Sequence, residues 1–195
     1  MSWYLATPIV IPFVTAVLAF LLRATPWGRW VSVCGSTLLL IASIALMSVV
    51  LRDGVIAGQM GQWPAPFGIT LVADLLSAVM VLITAIVAVA VSIYAIADVD
   101  EGMERLGYHT LFNMLIAGVV GAFITGDLFN LYVWFEVMLI ASFGLLVLGG
   151  RPEQIDGGVK YVALNLVSTI MFLTGIGLLY GMTGTLDMAD LATAV

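Results

Sequence analysis

The chain has 195 residues, of which 63% are hydrophobic and 9% are charged, and its mean hydropathy is +1.18. So few charges over this length exclude a water-soluble domain and indicate a polytopic membrane protein. The net charge of −6 comes from loops and helix ends, and six basic residues spread along the chain exclude a nucleic-acid-binding patch.

Apolar windows of about 20 residues, the length that spans roughly 30 Å of hydrocarbon, occur six times. They predict an all-α fold whose six-helix transmembrane region covers residues 1–180. The predicted helices lie near Trp3–Leu22, Trp30–Leu51, Thr70–Ile96, Tyr108–Thr125, Leu128–Leu148 and Gly158–Tyr180. We expect the first helix to be retained, because its leader has no positive charge and therefore does not resemble a secretory signal.

The basic residues predict the orientation of these helices. Five of the six fall on one side of the predicted bundle, and only Arg52 falls on the other. The five are Arg23, Arg29, Arg105, Arg151 and Lys160. By the positive-inside rule, the odd-numbered loops are cytoplasmic, and both the N-terminus and the C-terminus lie outside.

The tail after Tyr180, residues 181–195, is too polar and too short to span a membrane. Thr185 is a helix-start signal, with Asp187 expected in the first turn. We predict an amphipathic helix along the outer surface. The tail ends without a cap or stop signal, as we expect of a chain that is cut between two elements.

Glu136 lies near the middle of the apolar stretch Leu128–Leu148. A carboxylate in hydrocarbon costs on the order of 2.5 kcal/mol or more, and such residues usually face a protein interior or a water-filled path. The sequence therefore predicts that Glu136 is a proton carrier. The alternative is an acid that is satisfied by a hydroxyl or amide on a neighbouring helix.

Four other ionisable residues are candidates for a proton path. Lys160, one turn into the sixth helix, is either a relay member or a side chain that reaches back to the interface. His109, at the start of the fourth helix, is either an interfacial residue or a group that feeds protons inward. Asp127 and Asp74 lie where a helix dipole favours an acid, and for Asp127 the alternative is a role in proton entry.

Two further patterns concern the walls around Glu136. A polar stripe on the sixth helix predicts either helix packing or a wet path; it consists of Tyr161, Asn165, Ser168 and Thr169. In the fourth helix, small residues recur four apart and allow close approach to the fifth helix; the pairs are Ala117/Gly121 and Gly118/Ala122. The sequence holds no metal-ligand cluster, no phosphate-cradling loop and no ligand set for a cofactor, so we expect none.

The segment Thr125–Leu145, TGDLFNLYVWFEVMLIASFGL, closely resembles the fifth-helix motif of the proton-conducting antiporter-like subunits. That family includes the D subunit of Mrp-type multisubunit Na+/H+ antiporters and the antiporter-like membrane subunits of respiratory complex I. The similarity extends to Trp63–Asp74 and Gly158–Asn165, whose wording is most like the Mrp D subunit.

The resemblance implies a role for Glu136. It matches the family's fifth-helix glutamate, which modulates the proton affinity of a lysine on the seventh helix. That seventh helix lies in a repeat unit beginning at helix four, and the present chain stops before it. These residues are therefore expected to be an N-terminal portion.

The function implied by the resemblance is that of a membrane subunit in a multisubunit Na+/H+ antiporter of the bacterial plasma membrane. Its partners would be the other subunits, the lipid bilayer, protons and Na+, and it would not be an enzyme. One alternative is a proton-pumping subunit of a respiratory complex I or membrane hydrogenase. A second alternative is a scaffold subunit that transports nothing.

Overall fold

The computed structural model describes residues 3–60, 63 and 68–194. Residues 64–67, which belong to the Trp63–Asp74 similarity, lie outside the described residues, as do the first two residues and Val195. Within these ranges, the elements are eight helices and a short hairpin. In chain order they are α1 (Trp3–Leu21), α2 (Trp27–Asp53), β1 (Ile56–Gln59), β2 (Thr70–Ala73), α3 (Leu75–Asp98), α4 (Glu101–Leu106), α5 (Tyr108–Ile124), α6 (Leu128–Val147), α7 (Pro152–Thr183) and α8 (Met188–Ala194).

The polytopic helical fold is confirmed. In the described part of the chain, five helices are long and apolar enough to cross a membrane: α1, α2, α3, α6 and α7. The sixth predicted crossing, α5, has 17 residues and is shorter. At about 1.5 Å per residue it is roughly 25 Å long, a little less than the hydrocarbon thickness.

Helix α5 lies at the centre of the bundle, in contact with α1, α3 and α6. The apolar core forms where α1, α2, α3 and α5 meet, around the buried residues Leu5, Leu39, Leu46, Val81 and Val120. Helix α7 packs chiefly against α6, and most of its surface is exposed. One long face of α7 is thus open on the described part of the chain.

The third helix begins later than predicted. Thr70–Ala73 is not its first turn but a strand, paired antiparallel with Ile56–Gln59 in a register that places Thr70 opposite Gln59. Thr70 and Val72 are β-branched, which favours a strand. The helix starts only after Asp74, whose carboxylate accepts a hydrogen bond from Ser77 N at 2.7 Å. The apolar run continues across this boundary, so hydropathy does not reveal it.

The sixth helix begins earlier than predicted, at Pro152 rather than Gly158. Proline is well placed in the first turn, because the N–H that it lacks would have no partner inside the helix. Arg151 N donates to Gln154 Oε1 at 3.2 Å and completes this start. At the tail, Asp187 is the residue before α8 rather than part of its first turn, and it accepts from Ala189 N at 2.9 Å.

The two ends of the bundle have different characters. At one end, which we call the hairpin end, the hairpin, the α5–α6 turn and the α7–α8 turn are joined by backbone hydrogen bonds. Gly126 N donates to Thr70 O at 2.8 Å, and Met188 N donates to Gly126 O at 2.9 Å. At the opposite end, the arginine end, the α1–α2 connection lies beside α4, which brings Arg23, Arg29 and Arg105 together. This agrees with the predicted clustering of basic residues on one side; which side is cytoplasmic stays a prediction.

Candidate functional site

Glu136 lies near the middle of α6, with its side chain half-buried. It is eight residues from Leu128, or about 12 Å along the axis, and eleven residues from Val147, or about 16 Å. Its carboxylate Oε1 accepts a hydrogen bond from Thr169 Oγ1 of α7 at 2.7 Å. The acid therefore has a hydroxyl partner on the neighbouring helix. Among the described residues, no ion pair includes Glu136.

A cavity of about 530 Å³ opens beside this carboxylate, between α6 and α7. We call it the Glu136 groove. Aromatic rings of Tyr132, Phe135 and Phe172 line one part of it, and polar groups of α7 line another. A cavity of this size with convergent polar groups has room for several water molecules. The groove is thus a place where a mid-membrane carboxyl can meet water.

The polar stripe of α7 faces the groove, as its spacing predicts. Tyr161, Asn165, Ser168 and Thr169 all line it. Tyr161 OH and Ser142 Oγ of α6 lie 2.8 Å apart, and Asn165 Nδ2 donates to Tyr161 O at 2.8 Å. From Tyr161 to Thr169 the helix rises by about 12 Å. The stripe both links the two helices and lines a path, so the two interpretations of it are compatible.

Small residues in α5 fix the position of α6. A Cβ added to Gly118 would lie 2.6 Å from Met138 Cγ, and one added to Gly121 would collide with the ring of Trp134. Trp134 also packs against Phe13 of α1, with 6.0 Å between the ring centroids. The predicted close approach of the two helices is therefore present.

Lys160 is not brought to Glu136. It lies nine residues before Thr169, a rotation of about 180° on a helix of 3.6 residues per turn. Its Nζ contacts Asp156 Oδ2 at 2.6 Å, and the two side chains are 71% and 69% exposed. On the described chain, Lys160 therefore points away from the Glu136 groove.

His109 lies at the arginine end, outside the groove, and is only 4% exposed. Its Nε2 is 3.2 Å from Glu104 Oε1, and Glu104 Oε2 accepts from Arg29 Nη2 at 2.8 Å. We call these three residues the Arg29–Glu104–His109 cluster. The sequence did not single out Glu104, because residues 98–105 are typical of an acidic surface loop. The available signal was that Glu104 lies five residues before His109, with the Gly107 turn between them.

Asp74 and Asp127 both cap helices, as the dipole argument indicates. The backbone N–H of Ser77 donates to Asp74 and holds the pKa of that carboxyl below its usual range. Asn130 N donates to Asp127 Oδ1 at 2.8 Å. Sequence reasoning missed the burial of Asp187, which is 7% exposed and accepts from Thr70 Oγ1 at 2.7 Å. All three acids lie at the hairpin end, away from the Glu136 groove.

Within the part of the chain that the structure describes, no group of three or more histidine, cysteine, aspartate or glutamate residues is arranged to hold a metal ion. The chemistry available at the groove is therefore that of one carboxyl, hydroxyls, an amide and space for water.

Comparison with known proteins finds that the chain is similar to membrane antiporter subunits. Residues 125–195 match the family described as "NADH:quinone oxidoreductase/Mrp antiporter, TM". The chain is 41% identical over 196 residues to the D subunit of a Na(+)/H(+) antiporter from Bacillus subtilis, covering 100% of this chain and 40% of that protein. It is 51% identical over 135 residues to the D subunit of a probable K(+)/H(+) antiporter from Rhizobium meliloti, covering 69% of this chain and 25% of the relative.

Two solved structures share the fold. One is the Mrp complex from Dietzia sp. DQ12-45-1b, with a TM-score of 0.87, 27% identity, and coverage of 100% of this chain and 39% of that chain. The other is an archaeal membrane-bound sulfane sulfur reductase, a respiratory membrane complex, with a TM-score of 0.91, 29% identity, and coverage of 96% and 39%. The present chain thus spans about two fifths of the length of several of these proteins.

Proposed function

Since this chain belongs to the NADH:quinone oxidoreductase/Mrp antiporter membrane family, we propose that it is part of a membrane subunit of a multisubunit Na+/H+ antiporter. It works in the bacterial plasma membrane together with other subunits. Its own contribution is to carry protons at Glu136, in exchange for Na+ elsewhere in the assembly. It is a transporter component rather than an enzyme.

The observation that supports this proposal is the placement of Glu136. A carboxyl about midway along a membrane-spanning helix borders a 530 Å³ groove that polar side chains line. Intramembrane acids are expensive and mark ion pathways. The Thr169 hydroxyl donates a hydrogen bond of 2.7 Å to this carboxyl at the edge of the groove. Glu136 can therefore release a proton to groove water and recover one from it.

The polar stripe supplies a direction for that exchange. Tyr161 and Ser142 lie toward the arginine end of the groove, and Thr169 lies beside Glu136. Water molecules spaced about 2.8 Å apart would bridge the roughly 12 Å between these points with about four molecules. In this proposal Tyr161, Ser142 and Asn165 orient the water, and Glu136 is the group that takes and gives the proton. Asp127, Asp74, His109 and Lys160 have no part in it.

The second candidate is a proton-pumping subunit that a redox reaction drives. The observation that favours it is the structural likeness to a respiratory membrane complex. Two relatives with 41% and 42% sequence identity are Na(+)/H(+) antiporter subunits, which is why we place the antiporter first. The remaining alternative is a scaffold, in which neutralising Glu136 has no effect.

The test is Glu136→Gln in the full-length subunit, expressed with its whole complex in cells that lack sodium antiporters. Glutamine keeps the size and can still accept from Thr169, but it cannot carry a proton. The matched control is Glu153→Gln, an exposed acid in the first turn of α7. In everted vesicles, Na+ should collapse a preformed pH gradient with the wild type and with Glu153→Gln.

We expect Glu136→Gln to abolish the sodium response while a native gel shows an assembled complex. An unchanged response would remove Glu136 from the proton route and favour the scaffold. If the unmutated complex ignores Na+ but acidifies vesicles when NADH is supplied, the redox-driven alternative replaces the antiporter.

A further inference from the structure

The arginine end contains a second cavity, of about 270 Å³, that has no part in the proposed proton path. Its walls are the α1–α2 connection, the start of α2, and α4. Five charged side chains line it: Arg23, Arg29, Arg105, Glu101 and Glu104. We call it the arginine cavity.

The charges of this cavity do not cancel. Both carboxylate oxygens of Glu104 are engaged, one by Arg29 at 2.8 Å and the other by His109 at 3.2 Å. Arg105 and Glu101 are 3.5 Å apart on the surface, with side chains 68% and 78% exposed, which makes a weak pair. Arg23 lies over the Phe20 ring at 4.0 Å and forms no ion pair among the described residues. Three arginines against two glutamates leave an excess of one positive charge.

Hydrogen-bonding capacity at the base of the cavity is unused. Arg29 Nε, His109 Nδ1 and Thr110 Oγ1 are buried and have no hydrogen-bond partner within the described residues. Arg29 lines both the arginine cavity and a smaller adjoining space, and His109 and Thr110 line only that smaller space, which is too small for a water molecule. Unsatisfied buried polar atoms are costly, and a bound water or ion commonly accounts for them. An oxyanion bound in the arginine cavity would offer an acceptor on the side that Arg29 lines.

The cavity lies at the level where lipid headgroups are expected. Trp27 and Trp30, at the start of α2, are 64% and 52% exposed, and tryptophans of this kind concentrate at membrane interfaces. Trp27 follows Pro26 of the arginine cavity, and it also lines an apolar groove of about 440 Å³ along α1 and α2. A headgroup at the cavity and an acyl chain in contact with α1 and α2 are therefore compatible with one lipid.

We propose that the arginine cavity binds a phosphate group, carried either by the headgroup of an anionic phospholipid or by free phosphate. Guanidinium groups match phosphate oxygens in pairs, and both Arg23, from the α1–α2 connection, and Arg105, from α4, line the cavity. Arg29 stays in the Arg29–Glu104–His109 cluster and adds positive charge at the base. The single excess positive charge suits the single negative charge of a phosphodiester.

The test uses the purified complex that contains the full-length subunit, in detergent, with phosphatidylglycerol and phosphatidylcholine of the same acyl chains. Native mass spectrometry would count bound lipid for the wild type, for Arg23→Gln/Arg105→Gln, and for Arg52→Gln. Arg52 is the matched control, because it is an exposed arginine at the end of α2 farthest from the cavity. A second arm measures the thermal midpoint in sodium phosphate against sodium chloride of equal ionic strength.

We expect the wild type and Arg52→Gln to bind phosphatidylglycerol about tenfold or more tightly than phosphatidylcholine, and the double variant to lose that preference. If free phosphate stabilises the wild type but not the double variant, and the wild type shows no lipid preference, the site is assigned to free phosphate instead. The proposal is overturned if the double variant keeps the wild-type behaviour in both arms, or if Arg52→Gln loses as much. A native gel and the antiport assay, neither of which depends on this site, would show that the double variant is assembled.

Discussion

Thr169 Oγ1 on α7 donates a hydrogen bond of 2.7 Å to Glu136 Oε1, about midway along α6. This contact joins the two helices that form the groove. Within the described residues, Thr169 is the hydrogen-bond partner of the Glu136 carboxylate, through the oxygen Oε1. The orientation of the Glu136 carboxyl therefore depends on how α7 is seated against α6.

The first prediction follows from that contact. Thr169→Val keeps the shape of the side chain and removes the donor, so the ionised Glu136 loses a partner. A hydrogen bond to a charged group contributes about 1.5 kcal/mol or more, and its loss should slow antiport roughly tenfold. The measurement is the initial rate of sodium-induced pH-gradient collapse in everted vesicles.

Thr169→Ser provides the rescue, because serine restores the hydroxyl, and it should return most of the rate. Thr174→Val is the matched control: Thr174 is an exposed threonine of the same helix whose hydroxyl bonds only to its own helix backbone at Ile170 O. If Thr169→Val transports as fast as the wild type, the hydroxyl has no role in the function of Glu136.

The second prediction concerns the tight contact between α5 and α6. Gly121→Ala should destabilise the protein by about 1–3 kcal/mol, because the new methyl collides with the Trp134 ring. Gly175→Ala, on the open face of α7, meets nothing within 4 Å and should be neutral or slightly stabilising, since alanine favours helix. Thermal unfolding of the two variants in detergent would compare them. Equal midpoints would show that α5 and α6 are not held this closely.

The order of the long apolar helices could be predicted, because each apolar run is long and uninterrupted. The hairpin could not. Thr70–Ala73 is as apolar as the helix that follows it, and only the cap at Asp74 marks the change. The start of α7 was missed because Gly157 and Gly158 are typical of a loop. In the structure both lie inside α7, and the space around Gly157 is open.

At the candidate site, helical periodicity predicted which face of α7 lines the groove, but it could not predict which residues of different helices pair with each other. The spacing from Tyr161 to Thr169 predicts one face, and that face lines the groove. The hydrogen bond between Thr169 and Glu136 joins residues 33 apart, and the ion pair between Arg29 and Glu104 joins residues 75 apart. No local pattern encodes such pairs, because they arise from how the helices pack.

The third prediction concerns the Arg29–Glu104–His109 cluster. Glu104→Ala leaves Arg29 and the buried His109 without their carboxylate, which should cost about 3 kcal/mol of stability. Glu101→Ala is the control on the same short helix: its side chain is 78% exposed, and its loss should change stability by about 0.5 kcal/mol or less. Thermal unfolding of the detergent-solubilised complex measures both. Similar midpoints for the two variants would mean that the cluster does not hold α2 to α5.

The last prediction concerns pH and the start of α3. The backbone N–H of Ser77 lowers the pKa of Asp74 below that of an aspartate in an unfolded chain, near 3.9. A group with a lowered folded-state pKa contributes stability above the unfolded pKa, and that stability is lost as the pH falls through the folded-state pKa. Asp74→Ala should therefore cost about 1 kcal/mol at neutral pH, the typical worth of a cap, and less below about pH 4.

Asp74→Asn separates the cap from the charge. Asparagine still accepts a hydrogen bond from Ser77 N, so this variant should retain most of the wild-type stability at neutral pH. Its stability should not show the decrease below about pH 4 that we attribute to protonation of Asp74. Thermal midpoints of the wild type and both variants, recorded from neutral pH down to the acid limit of the complex, would show the difference. If Asp74→Ala and the wild type stay separated by the same amount at every pH, the Asp74 charge does not contribute and only the side-chain hydrogen bond matters.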